Sequence, residues 1–334
     1  MEENLPPFEI VQALRAMRLL GAADSAPGVA LTGGVSSDIW RIDLPGGPIC
    51  AKRALAQLKV AALWQAPVIR NQYEAGWMRR AAAAVPGSVP EILGQTDGVL
   101  AMQYLPEAQY HLWKAALRDG QADPAFAAAV ARSLVQIHAA TAADPQVAGE
   151  FPTDAIFLAI RLEPYLLATA AHHPDLAPAL RALVATTQAN QRALVHGDVS
   201  PKNILIGPDG PVFLDAECAW WGDPAFDVAF CLNHLLLKCL WTPAATPGFL
   251  ACFDAFVAAY LAGVTWEPAA ALEARAAQLL PGLLLARVDG KSPVEYIETD
   301  AQRNRVRQIG RALLAAPVER LAAVRQAWGK EVTP

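Results

Sequence analysis

One segment, residues 196–217, constrains the fold of this chain more than any other. It reads His-Gly-Asp-Val-Ser-Pro-Lys-Asn, then three aliphatic residues, then Gly-Pro-Asp-Gly, then Pro-Val-Phe-Leu-Asp-Ala-Glu. Two short apolar runs on either side of a Pro-Asp-Gly turn are typical of two antiparallel strands joined by a tight connection. The segment therefore predicts a β-hairpin with strands over residues 203–206 and 211–215.

Three polar side chains converge at the open end of that hairpin. Asn203 starts the first strand and Asp215 ends the second, so antiparallel pairing brings them to the same end. Asp198 lies in the loop that leads into this end. Each residue alone would be interpreted as a turn or strand-end cap, but together they offer several hard oxygen ligands, the kind that Mg²⁺ takes alongside phosphate oxygens.

The composition limits the classes of protein that remain. The chain has 334 residues, of which 54% are hydrophobic and 18% are charged, enough apolar material for a large core and too much for a disordered protein. The formal net charge is −5, so the chain lacks the overall basic character that drives nucleic-acid binding. We expect no nucleic-acid partner, and an anionic cosubstrate must be held by local groups.

The cellular compartment follows from cysteine use and from the absence of a targeting signal. Five cysteines occur in apolar stretches with no C-x-x-C spacing, which predicts buried free thiols in a reducing compartment. The N-terminus is acidic and has no apolar signal-type run. Polar residues or prolines interrupt each Ala/Leu-rich stretch before a membrane-spanning length accumulates. We therefore expect a cytoplasmic protein that does not associate with membranes.

The chain divides into a small β-rich part and a larger helical part. Apolar spacing predicts a helix over residues 8–20, and alternation with turn signals predicts strands over 39–43, 49–52 and 99–104, with a helix over 68–85. Beyond residue 110 the pattern is mainly helical, interrupted by a short β-rich stretch. The predicted helices there cover residues 124–141, 154–172 and 176–192, the β-rich stretch covers 195–217, and helices resume near 226.

The ordered motifs resemble those of one enzyme superfamily. The spacing H-x-D-x-x-x-x-N followed by strand, turn, strand and Asp matches the plan of protein-kinase-like folds. The details at residues 196–203, the Asp-Ala-Glu that ends at residue 217, and the G-D-P-x-x-D-x-A pattern at residues 222–229 are similar to the aminoglycoside phosphotransferase and choline kinase superfamily. The resemblance implies an α+β, protein-kinase-like bilobal fold: a β-rich nucleotide-binding lobe over residues 1–105, and a mainly helical catalytic and acceptor-binding lobe with the hairpin over 106–334.

The resemblance also implies roles for the residues of the hairpin region. Asp198 is the expected catalytic residue, which orients or deprotonates an acceptor hydroxyl. Asn203 and Asp215 are the expected Mg²⁺ ligands. Glu217 is left with two interpretations, a second metal ligand or a residue that orients the loop. His196 and Asp227 are expected to support the catalytic loop.

A phosphotransferase of this type also needs groups that hold a nucleotide, and the small lobe supplies candidates. Lys52 ends a predicted strand, and Glu74 on the following helix is the only carboxylate between Lys52 and Pro90, so we expect the two to pair and grip ATP or GTP phosphates. The remaining candidates are the phosphate-loop residues Gly33, Gly34, Ser36 and Ser37 and the interlobe residues Gln103 and Tyr104, whose segment faces the base.

These expectations combine into one function with alternatives. The favoured function is transfer of a nucleotide γ-phosphoryl group to a hydroxyl of a small sugar- or polyol-like molecule. The alternatives are an aminoglycoside or amino-alcohol (choline-like) kinase and a non-catalytic nucleotide-binding regulator. A protein kinase is disfavoured because Gly222 follows Asp215 too closely for an activation segment. The oligomeric state stays open, with a homodimer as one alternative.

The acceptor is the least constrained part of this hypothesis. Residues 261–334 contain eight acidic and ten basic side chains, a poor match for a polycationic acceptor. A polar break after the apolar run 279–286 predicts a loop that turns toward the cleft at Gly290. We therefore take Arg287, Asp289 and the aromatic Trp220 as candidate acceptor contacts, and expect the acceptor to be neutral or anionic.

Overall fold

The computed structural model describes residues 5–31, 36–57, 67–96 and 98–332. Gly33 and Gly34 of the predicted phosphate loop lie outside these described residues. The chain folds into a small lobe built on an antiparallel sheet and a larger lobe of helices. The bilobal α+β architecture expected from the motifs is therefore confirmed.

The small lobe carries a five-stranded antiparallel sheet. The Pro-Gly-Gly turn at residues 45–47 joins β2 to β3, and Gly47 adopts a φ of 115° that favours glycine. The strands over residues 28–31 and 92–96 were not predicted from the sequence. The first borders the turn-rich loop, and the second contains a glycine. In the order β1-β2-β3-β5-β4, the sheet consists of β1 (Gly28–Leu31), β2 (Ser37–Leu44), β3 (Gly47–Ala54), β4 (Ile92–Thr96) and β5 (Val99–Gln103).

Two helices accompany this sheet. Helix α1 (Phe8–Ala16) ends earlier than the predicted residue 20, since the chain turns at Arg18, where φ is 62°. Helix α2 (Arg70–Ala84) agrees with the predicted helix to within two residues. The face of α2 that carries Glu74 and Trp77 is buried toward the cleft and the large lobe.

The large lobe is formed mainly by helices that pack around α9. Almost every residue of α9 is buried, and α11 and α10 lie against it while α10 also packs on α4. The helices are α3 (Trp113–Arg118), α4 (Pro124–Thr141), α5 (Pro145–Glu150), α6 (Asp154–Phe157), α7 (Ala168–His172), α8 (Ala177–Ala189), α9 (Pro224–Trp241), α10 (Thr246–Ala262), α11 (Ala269–Asp289), α12 (Asp300–Ala315) and α13 (Leu321–Val332).

The segment predicted as one helix over residues 154–172 is helical but not uniformly α-helical. Between α6 and α7, residues Leu158–Leu167 form a π-helix. Pro164 lies inside it, and a proline cannot donate the hydrogen bond of a regular helix. The wider turn suits this position and is typical of functional sites.

The β-rich stretch of the large lobe supplies the predicted hairpin. Ile204 pairs with Phe213 and Gly207 with Gly210, so the turn falls at Pro208 and Asp209. The short strands of this stretch and its neighbours are β6 (His111–Leu112), β7 (Ala193–Val195), β8 (Ile204–Gly207), β9 (Gly210–Phe213) and β10 (Trp220–Gly222), with β6 beside β8 and β7 beside β10.

Within the residues that the structure describes, Pro243–Ala262 and Ala269–Asp289 are long and apolar enough to cross a membrane, by length and composition alone. The apolar stretches of these segments are 39% and 67% buried inside the fold, respectively. The five cysteines are all buried and unpaired, which agrees with the expectation of free thiols. The cytoplasmic location remains a prediction.

A buried histidine connects α4 to α9 and α10. His138 Nδ1 lies 2.6 Å from the Tyr260 hydroxyl, and its Nε2 lies 3.2 Å from Asp227 Oδ2. All three side chains are fully buried, so their polar groups depend on each other for hydrogen bonds.

We predict that Tyr260→Phe destabilises the fold by about 1–3 kcal/mol, because it leaves a buried imidazole nitrogen without its partner. Urea unfolding followed by circular dichroism measures the loss. Tyr73→Phe is the matched control, since among the described residues the Tyr73 hydroxyl makes no hydrogen bond. Equal stability of the two variants would contradict the role given to the His138 hydrogen bond.

Candidate active site

The loop between β7 and β8 is anchored by one buried carboxylate. Asp227, in the first turn of α9, accepts hydrogen bonds of 2.8 Å from the backbone N–H groups of His196 and Gly197. Its Oδ2 also faces His138. Buried backbone N–H groups need hydrogen-bond acceptors, so Asp227 fixes the start of the loop as a supporting residue.

Gly197 is required by the backbone of this loop. Its φ is 79°, and a side-chain carbon there would lie 2.7 Å from the Cys218 carbonyl oxygen and 2.9 Å from Cys218 Cβ. Any other residue would be strained twice, by the left-handed conformation and by contact with backbone. The Gly of the His-Gly-Asp motif thus has a steric cause.

His196 orients the loop from within. Its Nδ1 accepts a 3.1 Å hydrogen bond from the Asp198 N–H, so its Nε2 donates to the Leu214 carbonyl oxygen at 3.1 Å. The ring packs edge-on against Trp77 at 4.7 Å. Burial lowers the pKa of His196 despite the nearby carboxylates, so the imidazole is neutral and bridges the loop to the end of β9.

Asp198 is buried between two cations. Arg161 in the π-helix and Lys202 on the loop approach its Oδ2 at 2.9 and 3.2 Å. Burial alone would raise the pKa of this carboxyl group, but the charges of Lys202 and Arg161 outweigh it and hold the pKa below its usual range. The group is therefore a carboxylate at all physiological pH values.

The Asn203 side chain ties the loop to the hairpin. Its Nδ2 donates to the Asp198 carbonyl oxygen at 3.0 Å, while the Leu214 N–H donates to the Asn203 carbonyl oxygen at 2.8 Å. Asp215 follows directly and has a φ of 65°, a left-handed conformation that is uncommon outside glycine and that occurs at functional sites. The three predicted oxygen-bearing residues are thus held at one end of the hairpin.

Lys52 joins the two lobes across the cleft. Its Nζ lies 2.7 Å from Glu74 on α2 and 2.5 Å from Asp215 after β9. Burial disfavours the Lys52 charge, but the carboxylates outweigh it and raise its pKa. Burial raises the pKa of Glu74 to about 7 although Lys52 opposes the shift. The pair expected from the sequence is brought together; its role toward a nucleotide stays a prediction.

A second cationic side chain crosses the cleft in parallel. Arg70 is fully buried at the start of α2 and donates from Nε to Glu217 at 2.9 Å and from Nη2 to the Ser36 carbonyl oxygen at 2.6 Å. Glu217 is thus committed to Arg70. This contact favours the orienting interpretation of Glu217 over that of a second metal ligand.

The cleft between the lobes contains a cavity of about 380 Å³. Apolar side chains such as Met102 and Leu205 contribute to its lining. Gln103 and Tyr104 line it at the end of β5, and Lys52 and Asp215 line it near the hairpin. Ser36 and Ser37 line it as well, and the Ser37 hydroxyl is buried with no partner among the described residues. An apolar pocket with polar groups at one end suits a base at one side and phosphates at the other.

The donor set fits a hard divalent cation such as Mg²⁺. Asn203 and Asp215 both line the cavity with oxygen-bearing side chains, while the described parts of the chain contain no group of three or more His, Cys, Asp or Glu residues placed to hold a metal. Mg²⁺ characteristically takes one or two protein ligands together with substrate phosphates and waters. The residues present therefore fit a metal that arrives with a nucleotide.

The three candidate acceptor contacts are not placed as the sequence suggested. Trp220 is 1% exposed, stacks on Phe157 at 4.3 Å and donates to Asp154, so it is a packing residue. Arg287 and Asp289 form the last turn of α11 rather than a loop. The cause is that the polar break follows an apolar run long enough to continue the helix.

The two charged residues of this turn differ in their surroundings. The Asp289 carboxylate contacts Arg307 at 2.7 Å and His173 at 2.8 Å. Both of its oxygens are therefore engaged within the fold, and the expectation that Asp289 contacts an acceptor is wrong. Arg287 donates to the Tyr165 hydroxyl and the Ser292 carbonyl oxygen, but its Nε is buried with no partner among the described residues. Only Arg287 remains beside the site.

Sequence reasoning missed three cations at this site. Arg161 and Lys202 face Asp198, and Arg70 holds Glu217. Lys202 stands within the motif and its spacing of four from Asp198 was an available signal. Arg161 and Arg70 are distant along the chain, and a basic residue inside a helical pattern gives no sign that it is buried.

Comparison with known proteins gives a family and a fold. The family model described as "Phosphotransferase enzyme family" matches residues 28–272. A curated protein described as a probable ketoamine kinase in the tonB 3' region of Klebsiella pneumoniae is 43% identical over 44 residues. That stretch is 13% of this chain and 35% of the relative, so it spans about a third of the relative's length.

Solved structures resemble the whole chain. A choline/ethanolamine kinase family protein from Mesorhizobium loti has a TM-score of 0.52 and 19% identity, covering 95% of this chain and 98% of its own. A structure described as amicoumacin kinase hAmiN in complex with AMP-PNP, Ca²⁺ and Ami has a TM-score of 0.57 and 12% identity, with coverages of 96% and 97%. At these identities the likeness concerns the fold.

We predict that Gly197→Ala destabilises the protein by more than about 2 kcal/mol, because strain at positive φ adds to the contact with Cys218. Gly87→Ala is the control: φ is 81° there, and a side-chain carbon would meet nothing within 4 Å. Its expected cost is about 1 kcal/mol. Chemical denaturation measures the loss of unfolding free energy in both variants, and the difference between the two losses is the contribution of the contact with Cys218. Equal losses would exclude that contribution.

Proposed function

The chain belongs to the phosphotransferase enzyme family, and from that premise we propose that it transfers the γ-phosphoryl group of ATP or GTP to a hydroxyl group of a small molecule. The observation that carries this proposal is the arrangement around Asp198, a buried carboxylate that Arg161 and Lys202 keep ionised. Lys202 also lines the cleft cavity of about 380 Å³. The same cavity is lined by Lys52 and Asp215.

In the proposed reaction the acceptor oxygen attacks the γ-phosphorus in line with the leaving group. A new P–O bond forms to the acceptor, the bond from the γ-phosphorus to its bridging oxygen breaks, and the nucleoside diphosphate leaves. The hydroxyl proton passes to Asp198 and then to solvent. Because the transition state of phosphoryl transfer is loose, positioning matters more than base strength, which suits a carboxylate of low pKa.

The remaining residues would hold the nucleotide. Lys52, fixed by Glu74, would contact the phosphates, and Gln103 and Tyr104 would face the base. Asn203 and Asp215 would hold Mg²⁺, which when bound neutralises phosphate charge. The related fold of an amicoumacin kinase that binds AMP-PNP and Ca²⁺ supports this use of nucleotide and divalent cation.

The alternatives differ in how the observations bear on them. A non-catalytic regulator would not need a buried carboxylate stabilised by Arg161 and Lys202, since an unused buried charge costs stability. An aminoglycoside kinase needs acidic groups around its acceptor, whereas Arg287 and Lys202 are basic. We therefore propose that the acceptor is a sugar- or polyol-like molecule. We also propose that the protein is cytoplasmic.

We predict that Asp198→Asn lowers kcat by about 10²–10⁴-fold and leaves nucleotide affinity within threefold, because the carboxylate acts on the acceptor. A coupled assay for nucleoside diphosphate release and calorimetric titration with AMP-PNP and Mg²⁺ measure the two effects. Asp209→Asn, in the hairpin turn, is the control. Turnover within about tenfold of wild type would show that Asp198 does not have this role.

We predict that Asp215→Ala removes Mg²⁺-dependent binding of AMP-PNP, since only the Asn203 oxygen and the phosphates would remain as ligands. Calorimetry with and without Mg²⁺ tests this expectation. An unchanged Mg²⁺-dependent affinity would exclude Asp215 as a metal ligand, whatever the effect on turnover.

A further inference from the structure

A small cavity next to the catalytic loop is lined mainly by basic side chains. Its volume is about 20 Å³, close to the space that one oxygen atom or water needs. The side chains come from α3, the catalytic loop, α9, α11 and the segment before α12. The lining residues are Lys114, Pro201, Lys202, His234, Lys238, Arg287, Glu295 and Tyr296.

Lys238 is the most unusual member of this set. It is 1% exposed, and its ammonium lies 3.9 Å from the ring centre of Trp241 and 3.8 Å from that of Tyr296. Those two rings are stacked at 4.6 Å. Within the part of the chain that the structure describes, Lys238 has aromatic contacts but forms neither an ion pair within 4 Å nor a hydrogen bond, although the charge of Glu295 acts on it.

The cavity has little negative charge beside its basic groups. Its one carboxylate, Glu295, forms an ion pair with Lys114 and has a side chain that is 65% exposed. Arg287 Nε and His234 Nε2 are buried without partners among the described residues. Buried cations are ordinarily paired with anions, whereas Arg287 has no carboxylate partner among the described residues.

This cavity borders the cleft. Lys114 and Lys202 line both the small cavity and the large one, which Asp215 also lines. Lys202 also contacts Asp198 at 3.2 Å. A molecule with its hydroxyl at Asp198 therefore lies within reach of the basic groups.

We propose that the acceptor carries an anionic group, a carboxylate or a phosphate ester, which Lys114, Lys238 and Arg287 bind while its hydroxyl faces Asp198. One oxygen of that group occupies the small cavity, and the rest of the molecule lies in the cleft. The inference rests on the proposed phosphotransferase function and adds the charge class of the substrate. Charge-assisted hydrogen bonds from several basic groups would supply both affinity and selectivity against cations.

Acceptor binding then takes up a proton. Burial, together with the charges of Lys114 and Arg287, lowers the pKa of Lys238 to about 6, so the amine is mainly neutral at pH 7. A bound anion favours the ammonium form, and about one proton enters with each acceptor molecule. The groups that face Lys238 are Lys114 on α3, Lys202 on the loop, His234 on α9, Arg287 on α11, and Glu295 and Tyr296 before α12.

The test uses acceptors matched in shape and different in charge. Glucose, gluconate and glucose 6-phosphate form one set, glycerol, glycerate and glycerol 3-phosphate another, and choline and kanamycin are the cations. The readout is kcat/KM for nucleoside diphosphate release. We expect the kcat/KM of at least one anionic acceptor to exceed that of its neutral counterpart by tenfold or more. Comparison of the carboxylates with the phosphate esters shows which anionic group the site prefers. A neutral or cationic acceptor with the highest kcat/KM would overturn the proposal and leave the phosphotransferase function standing.

Binding is measured separately from turnover. Gluconate and glucose 6-phosphate are titrated into the complex with AMP-PNP and Mg²⁺, in two pH 7 buffers of different ionisation enthalpy. Wild type is expected to bind one of them with proton uptake, and Lys238→Met, which keeps the packing between the rings, to lose the uptake and at least tenfold in affinity. Lys114→Met is a second variant in case the first fails to fold, and Lys330→Met on α13 is the control. Absence of anion binding in wild type, or equal binding by all variants, overturns the proposal, whereas failure of every acceptor to be phosphorylated counts against the proposed function.

Discussion

The buried carboxylate of Asp227 is the interaction on which the rest of the site depends. It accepts two successive backbone N–H groups at 2.8 Å and faces His138. These contacts join α4, α9 and the loop after β7, and the side chains involved are fully buried. Because a buried polar group must find its hydrogen bonds within the protein, these contacts fix the start of the loop that leads to Asp198.

The relation between the lobes depends on two cations of the small lobe. Lys52 meets Asp215 and Arg70 meets Glu217, and these carboxylates are two residues apart after β9. Each cation has a second anchor, Glu74 for Lys52 and the Ser36 carbonyl oxygen for Arg70. Both ion pairs therefore tie the small lobe to the short segment after β9. They lie beside the packing of Trp77 on His196 and the hydrogen bond from the Phe213 N–H to the Ser88 carbonyl oxygen.

Local sequence information was sufficient for much of this site. The hairpin and the convergence of Asn203 with Asp215 follow from turn chemistry and antiparallel pairing, and Glu74 could be named because it had no competitor in its stretch. The positions of Arg161 and Lys238 could not be inferred, because burial of a basic residue depends on packing between distant helices. The prediction of a loop at residues 287–291 was wrong, because α11 continues to Asp289. The packing of its apolar face favours the helix even where the sequence becomes charged.

Helix α9 has a consequence for how the enzyme can diversify. Asp227 and Lys238 are eleven residues apart, close to three turns, so both lie on one face of α9 and about 16 Å apart along its axis. The helix thus sets a fixed distance between Asp227, which anchors the loop after β7, and Lys238, which lines the small cavity. Substitutions near Lys238 can change the lining of that cavity without altering the contacts of Asp227. A one-residue insertion or deletion between the two residues would rotate one relative to the other by about 100°. If the acceptor binds as proposed, point substitutions near Lys238 are compatible with the anchored loop, whereas changes in the length of α9 are not.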